Sequence, residues 1–193
     1  MRLLNLLIHN LKMNATPITY PQGRFNPAGI TRVLYAFVED ILSFPTLADS
    51  ETATTFASLV EYDGPIVMKT GKQFHDMYCT LEEGEIKTSM VGPRDGKGFE
   101  NTMETSFPGN DANFLGYKAS LANRQVVFLV KEKNGIIRVL GSLEDPAYFE
   151  TDDSTSGKKI ADGRKSILTF KDSKSTPAPI YTEALTSLLA PAA

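Results

Sequence analysis

The chain has 193 residues, with 20 lysines and arginines against 23 aspartates and glutamates, a net charge of −3 and one cysteine. That length suits one domain with extended arms, since domains commonly run to about 100–150 residues, and it can bury a core without covalent staples. The lone Cys79 excludes an internal disulfide framework and points to an intracellular folding compartment. The slightly acidic balance argues against a strongly basic binder of nucleic acid or membranes.

Residues 1–11 are apolar with Arg2 near the start, but the run from Leu3 to Ile8 is broken by Asn5. It falls short of the roughly 7–15 residues of a signal core and lacks a small-x-small cleavage site. No stretch approaches the ~20 apolar residues of a membrane-spanning helix, so no membrane partner is expected. This opening reads as an arm, with Met13 as an alternative start. Residues 14–29 carry Pro17, Pro21, Gly23, Pro27 and Gly29. Proline lacks a donor and restricts its predecessor, so the segment is extended. Residues 1–29 therefore form an N-terminal arm, in which Pro17, Tyr20, Pro21 and Phe25 are candidates for contact with a neighbouring subunit.

Residues 30–39 follow as a strand with apolar side chains on both faces, which implies burial on both sides. After Pro45, residues 46–58 read as a surface connection. The centre has the pattern of a β-meander, with strands at 66–69, 73–81, 85–91 and 99–107. In the second, His75, Met77, Cys79 and Leu81 share a face. In the last, Phe99, Met103 and Phe107 alternate with Glu100, Thr102, Glu104 and Ser106, as in an antiparallel strand with one wet face. Gly92, Pro93, Arg94, Asp95, Gly96, Lys97 and Gly98 form an exposed, adaptable hairpin tip.

Pro108-Gly109-Asn110-Asp111 stops that strand and supplies an N-cap for a helix over about 110–122. Phe114, Leu115, Leu121 and Ala122 give it a narrow apolar stripe. Asn134-Gly135 between apolar runs predicts a tight hairpin joining strands at 125–132 and 136–142. Residues 152–163 read as a polar loop, and 166–170 as a last strand. Residues 176–193 are read as a C-terminal arm, with Pro179 and Tyr181 as contact candidates and a short helix near 181–189.

Chemistry finds little purchase here. His75 and Cys79 lie four residues apart on a strand, about 13 Å at ~3.3 Å per residue, too far for proton transfer. His9 is the other histidine, so no histidine cluster offers itself to a transition metal. Asp152, Asp153 and Asp162 do not follow the spacing of a calcium loop. No phosphate loop, nucleophile elbow or dinucleotide fingerprint occurs. No catalytic residue, metal or cofactor is expected, and the chain reads as a non-enzymatic structural protein.

The order of elements resembles tail tube proteins of tailed bacteriophages. The likeness is carried by the strand at 30–39, the hairpin at 85–107, the helix opened by Pro108-Gly109-Asn110-Asp111, and the hairpin at 126–140. The phrases Thr102-Met103-Glu104-Thr105-Ser106-Phe107-Pro108-Gly109 and Lys133-Asn134-Gly135-Ile136-Ile137-Arg138-Val139-Leu140-Gly141-Ser142 look like those of prophage structural proteins. The resemblance implies a mainly β fold, an antiparallel β-sandwich or small barrel with one flanking helix over residues 30–175. It further implies hexameric rings stacked into a conduit through which genome DNA passes without specific binding.

Carried onto this chain, the resemblance makes Gly92 to Gly98 the hairpin between rings and the two arms the ring-to-ring bridges. Glu100 and Glu104 become candidates to face the lumen. The implied partners are the protein itself and other tail proteins. The implied location is the virion tail, after synthesis in a bacterial host's cytoplasm. Two other readings stay open. One is a different virion part, such as a tail terminator, head–tail connector or baseplate protein. The other is a small-ligand β-barrel with a cavity lined by Phe99, Met103 and Phe107.

Overall fold

The computed structural model of the chain describes residues 15–192. The expectations for residues 1–14, including the start at Met13 and His9, and for Ala193 lie outside the described residues. In chain order the strands are β1 (Ile30–Phe37), β2 (Ile41–Ser43), β3 (Glu61–Tyr62), β4 (Val67–Met68), β5 (His75–Met77), β6 (Glu85–Val91) and β7 (Gly98–Pro108). The helix α1 (Ala112–Leu121) is followed by β8 (Val126–Glu132), β9 (Ile137–Leu140), β10 (Tyr148–Thr155), β11 (Lys165–Lys174) and β12 (Ile180–Tyr181). The fold is mainly β with one helix, as the alternating patterns imply.

The apolar run Val126, Val127, Phe128, Leu129 and Val130 fixes the architecture, because none of the five is more than 1% exposed. A strand apolar on both faces must be covered on both faces. β8 accordingly runs inside a six-stranded sheet ordered β3-β12-β9-β8-β1-β5. On one side Val33, Phe128, Val130 and Leu140 meet Met103, Leu168 and Phe170 of a four-stranded sheet ordered β10-β11-β7-β6. Phe128 and Phe170 bring their ring centroids to 4.5 Å. On the other side Leu34, Ala36, Val127, Leu129 and Val139 are covered by Ile41, Met68, Phe74, Tyr181 and Leu188. Each such side chain contributes roughly 1.5–3 kcal/mol relative to exposure. The result is an antiparallel sandwich with a third, thinner layer, and neither large sheet closes into a barrel.

Asp111 caps α1, its carboxylate accepting from the Phe114 amide at 3.0 Å, and Asn123 ends it with φ +60°. Phe114 and Leu121 are buried, but Leu115 and Ala122, expected on the same stripe, are exposed. Tyr117 takes their place, three residues after Phe114 and so on its face. Lys118 pairs with Asp152 at 2.7 Å and with Ser154 at 2.8 Å, tying the helix to β10.

Three expectations are corrected. The central meander does not form: β4 pairs β2, β5 pairs β1, and only β6 and β7 are neighbours. A turn at Glu82, with φ +66° and the Glu83 amide bonded to Thr80 at 3.1 Å, sends the chain from one large sheet to the other. Residues 152–155, read as loop, belong to β10, which pairs β11 from Tyr148↔Lys171 to Thr155↔Lys165. Their polarity is that of an edge strand, where charge is tolerated. Finally, residues 176–192 are no free arm. β12 pairs β9 and β3, while a short 3-10 turn (Leu185–Leu188) replaces the expected helix.

Candidate assembly surfaces

Among the described residues the four-stranded sheet is open at both ends. β6 and β10 are each bonded along one side only, and nearly all of their residues are exposed. An unpaired edge presents a row of amides and carbonyls able to pair with another chain. The same sheet turns a polar face outward. On β7 that face carries Glu100, Thr102 and Glu104, flanked by Ser89, Lys87 and Glu85 of β6 and by Ser173, Lys171 and Thr169 of β11. Ser106, expected beside them, is 2% exposed. It lies where the Thr80 amide bonds to its carbonyl at 2.8 Å.

The face carries three carboxylates against two amines, all of them paired. Glu100 pairs with Lys171 at 2.9 Å, and Lys87 bridges Glu85 at 2.8 Å and Glu104 at 3.3 Å. These carboxylates hold the Lys87 and Lys171 amines above their ordinary values, so the pairs persist through the neutral range. Exposed pairs contribute only about 0–1 kcal/mol each. Their consequence is electrostatic, a surface on which most charge is paired and a single negative charge is in excess.

The inward phase of β7 and β11 carries polar groups that the sequence reading did not single out. Asn101 (0% exposed) and Asp172 (3%) face one another across the sheet, with Lys174 (8%) beside them. The Asn101 amide donates to Asp172 at 2.8 Å, and its oxygen accepts from Thr88 at 2.8 Å and from the Ala178 amide at 2.7 Å. Asp172 also accepts from the Gly141 amide at 2.6 Å, and Lys174 donates to the Gly141 carbonyl at 3.0 Å while pairing with Asp172 at 3.3 Å. Burial lowers the Lys174 amine below its ordinary value, with the Asp172 charge opposing. This cluster clamps the segment 176–178 to the sheet. The signal was available: polar residues in phase with Met103, Leu168 and Phe170.

The hairpin tip lies where it was expected, beyond the last pair Val91↔Gly98. It is tied rather than adaptable. The Gly96 amide bonds to Pro93 at 3.2 Å, and Lys97 donates to the Gly92 carbonyl at 2.7 Å. Gly92 takes φ +94°, and a Cβ there would collide with the Gly96 carbonyl. Gly92, Pro93, Arg94, Asp95, Gly96 and Lys97 are all exposed, and Gly98 is half-buried.

The two arms part company. Pro17, Tyr20, Pro21 and Phe25 are exposed on the N-terminal arm. Pro179 and Tyr181 are built into the domain. The Val139 amide donates to Pro179 at 2.8 Å, Tyr181 is 2% exposed, and its hydroxyl accepts from the Ile66 amide at 3.2 Å. Within residues 180–189, Tyr181 and Leu188 belong to the core and cover the second face of the central sheet, while residues 182–184 and 186–187 are exposed.

Cys79 is half-buried, and burial raises its thiol above the ordinary value. His75 is exposed on the edge strand β5, its ring 5.9 Å from that of Tyr35. Among the described residues no group of three or more His, Cys, Asp or Glu side chains could hold a metal ion, and no helix is long and apolar enough to cross a membrane. Of the three residues expected to line the cavity of a ligand barrel, Met103 is buried and Phe99 and Phe107 are half-buried. Met103 is 0% exposed, and Phe107 stacks on Phe114 at 3.7 Å. No family model, curated protein or solved structure matches the chain.

Proposed function

We propose that this protein is a self-assembling structural subunit of a phage tail tube, its copies joined side by side into rings and the rings stacked into a conduit for DNA. The observation that carries this reading is the four-stranded sheet β10-β11-β7-β6, open at both edges among the described residues and polar on its outer face. A heterologous contact of β6 on one copy with β10 on the next is self-repeating, and it closes into a ring when the rotation permits. In that ring Glu100 and Glu104 face the bore with their lysine partners.

A slightly acidic bore with its lysines already paired suits passage of a polyanion. Each phosphate neutralised by a basic group adds salt-dependent affinity through counterion release, and that affinity would hold the DNA in place. The tip from Gly92 to Gly98 projects from the end of the same hairpin, where a stacked ring would meet it. The virion tail is the location that goes with this role.

Sedimentation across a concentration series tests the assembly. The expected record is monomer passing directly to one closed species, with larger stacked species at higher concentration. A monomer at every concentration would overturn the reading. A closed ring that never stacks would move the protein to a terminator or connector role.

A further inference from the structure

The described part of the N-terminal arm, residues 15–29, holds three large apolar side chains in solvent. Ile18 is 84%, Tyr20 65% and Phe25 90% exposed. The segment nevertheless has local order. The Arg24 amide bonds to the Pro21 carbonyl at 3.4 Å, and the Tyr20 hydroxyl donates to the Arg24 carbonyl at 3.2 Å. Gly23 supplies the φ of +79° that the turn requires. Phe25 is thus presented just beyond a turn, beside the charge of Arg24. Clustered exposure of this kind marks an interaction site in a folded protein.

A hollow of about 270 Å³ lies elsewhere on the surface, among β1, β5, the end of β7 and α1. Its walls are Tyr35, Tyr78, Phe107, Phe114 and Tyr117, with Asn113 at the mouth. The rings brace one another: Tyr35 and Tyr117 have centroids 5.1 Å apart, and Tyr78 meets Phe107 edge-on at 5.8 Å. Asp76 and Asp111 also line the opening. The hollow is smaller than the roughly 300–1,000 Å³ of small-molecule pockets, and its walls suit one aromatic side chain. Asp76 is already paired with Arg32, whereas Asp111, the cap of α1, has no cation partner among the described residues and is opposite in charge to Arg24.

Phe25 of the same chain is badly placed to fill it. The arm leaves β1 at Ile30, where the Lys133 amide holds the Gly29 carbonyl at 2.9 Å. Tyr35 lies five residues along β1, about 17 Å at ~3.3 Å per residue. Phe25 is five residues before Ile30, a span of about 17 Å only when fully extended. It would have to double back at full stretch along a strand flanked by β5 and β8.

We propose that Phe25 of one copy seats in the aromatic hollow of another copy, with Arg24 facing Asp111. Each copy then donates an arm and accepts one, a heterologous contact that propagates. The proposal rests on the self-assembly reading and names the residues of one of its contacts.

The chain contains no tryptophan, so Phe25→Trp in the full-length protein installs a single indole. Emission and sedimentation are followed together as concentration rises, with Asn113→Arg added in a second sample to block the mouth. Both positions are exposed, and unchanged circular dichroism verifies the fold. The expected result is an emission shift to shorter wavelength in step with assembly, lost in the double variant. Assembly with the indole still emitting as if in water would overturn the contact and leave self-assembly standing. A short-wavelength indole in dilute monomer would mean docking within one chain, and a shift that survives Asn113→Arg would mean another acceptor; either overturns the proposal. A permanent monomer with an exposed indole would remove the self-assembly reading and this contact with it.

Discussion

Asp172 is the residue whose loss the domain should feel most. It accepts from Asn101 and Gly141 and pairs with Lys174, all in the interior. Asp172→Ala leaves a buried amine and two donors without their acceptor, and breaking a buried pair in this way costs about 3–5 kcal/mol. The urea midpoint should therefore fall by the corresponding amount with little change in slope. Asp76→Ala removes an exposed pair with Arg32 and should cost about 1 kcal/mol or less. Equal losses from the two would show that the interior cluster is not a clamp.

At the scale of elements, the hairpin β6–β7 can be separated from its tip. Val91 already faces Gly98 across the ladder, so an Asn-Gly turn replacing residues 92–97 closes it directly. The monomer should keep its midpoint while tube growth stops at single rings. Tubes of ordinary length would mean that the tip does not bridge rings.

The elements also differ in how plainly the sequence announces them. The Asn134-Gly135 hairpin, the Asp111 cap and the alternation of β7 are legible because their causes lie within a few residues. β10 was hidden because it is an edge strand, recognisable only from its partner β11. β12 was hidden because it is a two-residue strand held by β9 and β3, far away in sequence. The N-terminal arm was legible from its prolines, but the aromatic hollow was not. It gathers Tyr35, Tyr78, Phe107 and Tyr117 from four separate segments, and no local periodicity reports such a convergence.

The whole molecule should respond to acid through a few carboxylates. The Arg32 guanidinium holds the Asp76 carboxyl below its ordinary value, and Thr52 does the same for Asp49. At Asp152 burial works the other way, but Lys118 and Ser154 prevail and the carboxyl is lowered as well. A carboxyl lowered by folding adds stability that is fully present above the unfolded value and is lost as pH falls through the folded one. The urea midpoint of the monomer should hold from neutrality to about pH 5 and decline below the ordinary carboxylate value of about 3.8. Asp76→Asn should make that decline shallower, and an unchanged acid limb would contradict the assignment.

The central claim is that open sheet edges and an exposed arm find other copies of the same chain. Electron microscopy of the purified protein at high concentration tests it most directly. Hollow rings stacked into tubes with a continuous central channel are the predicted image. A field of separate compact particles at every concentration and salt condition would contradict it.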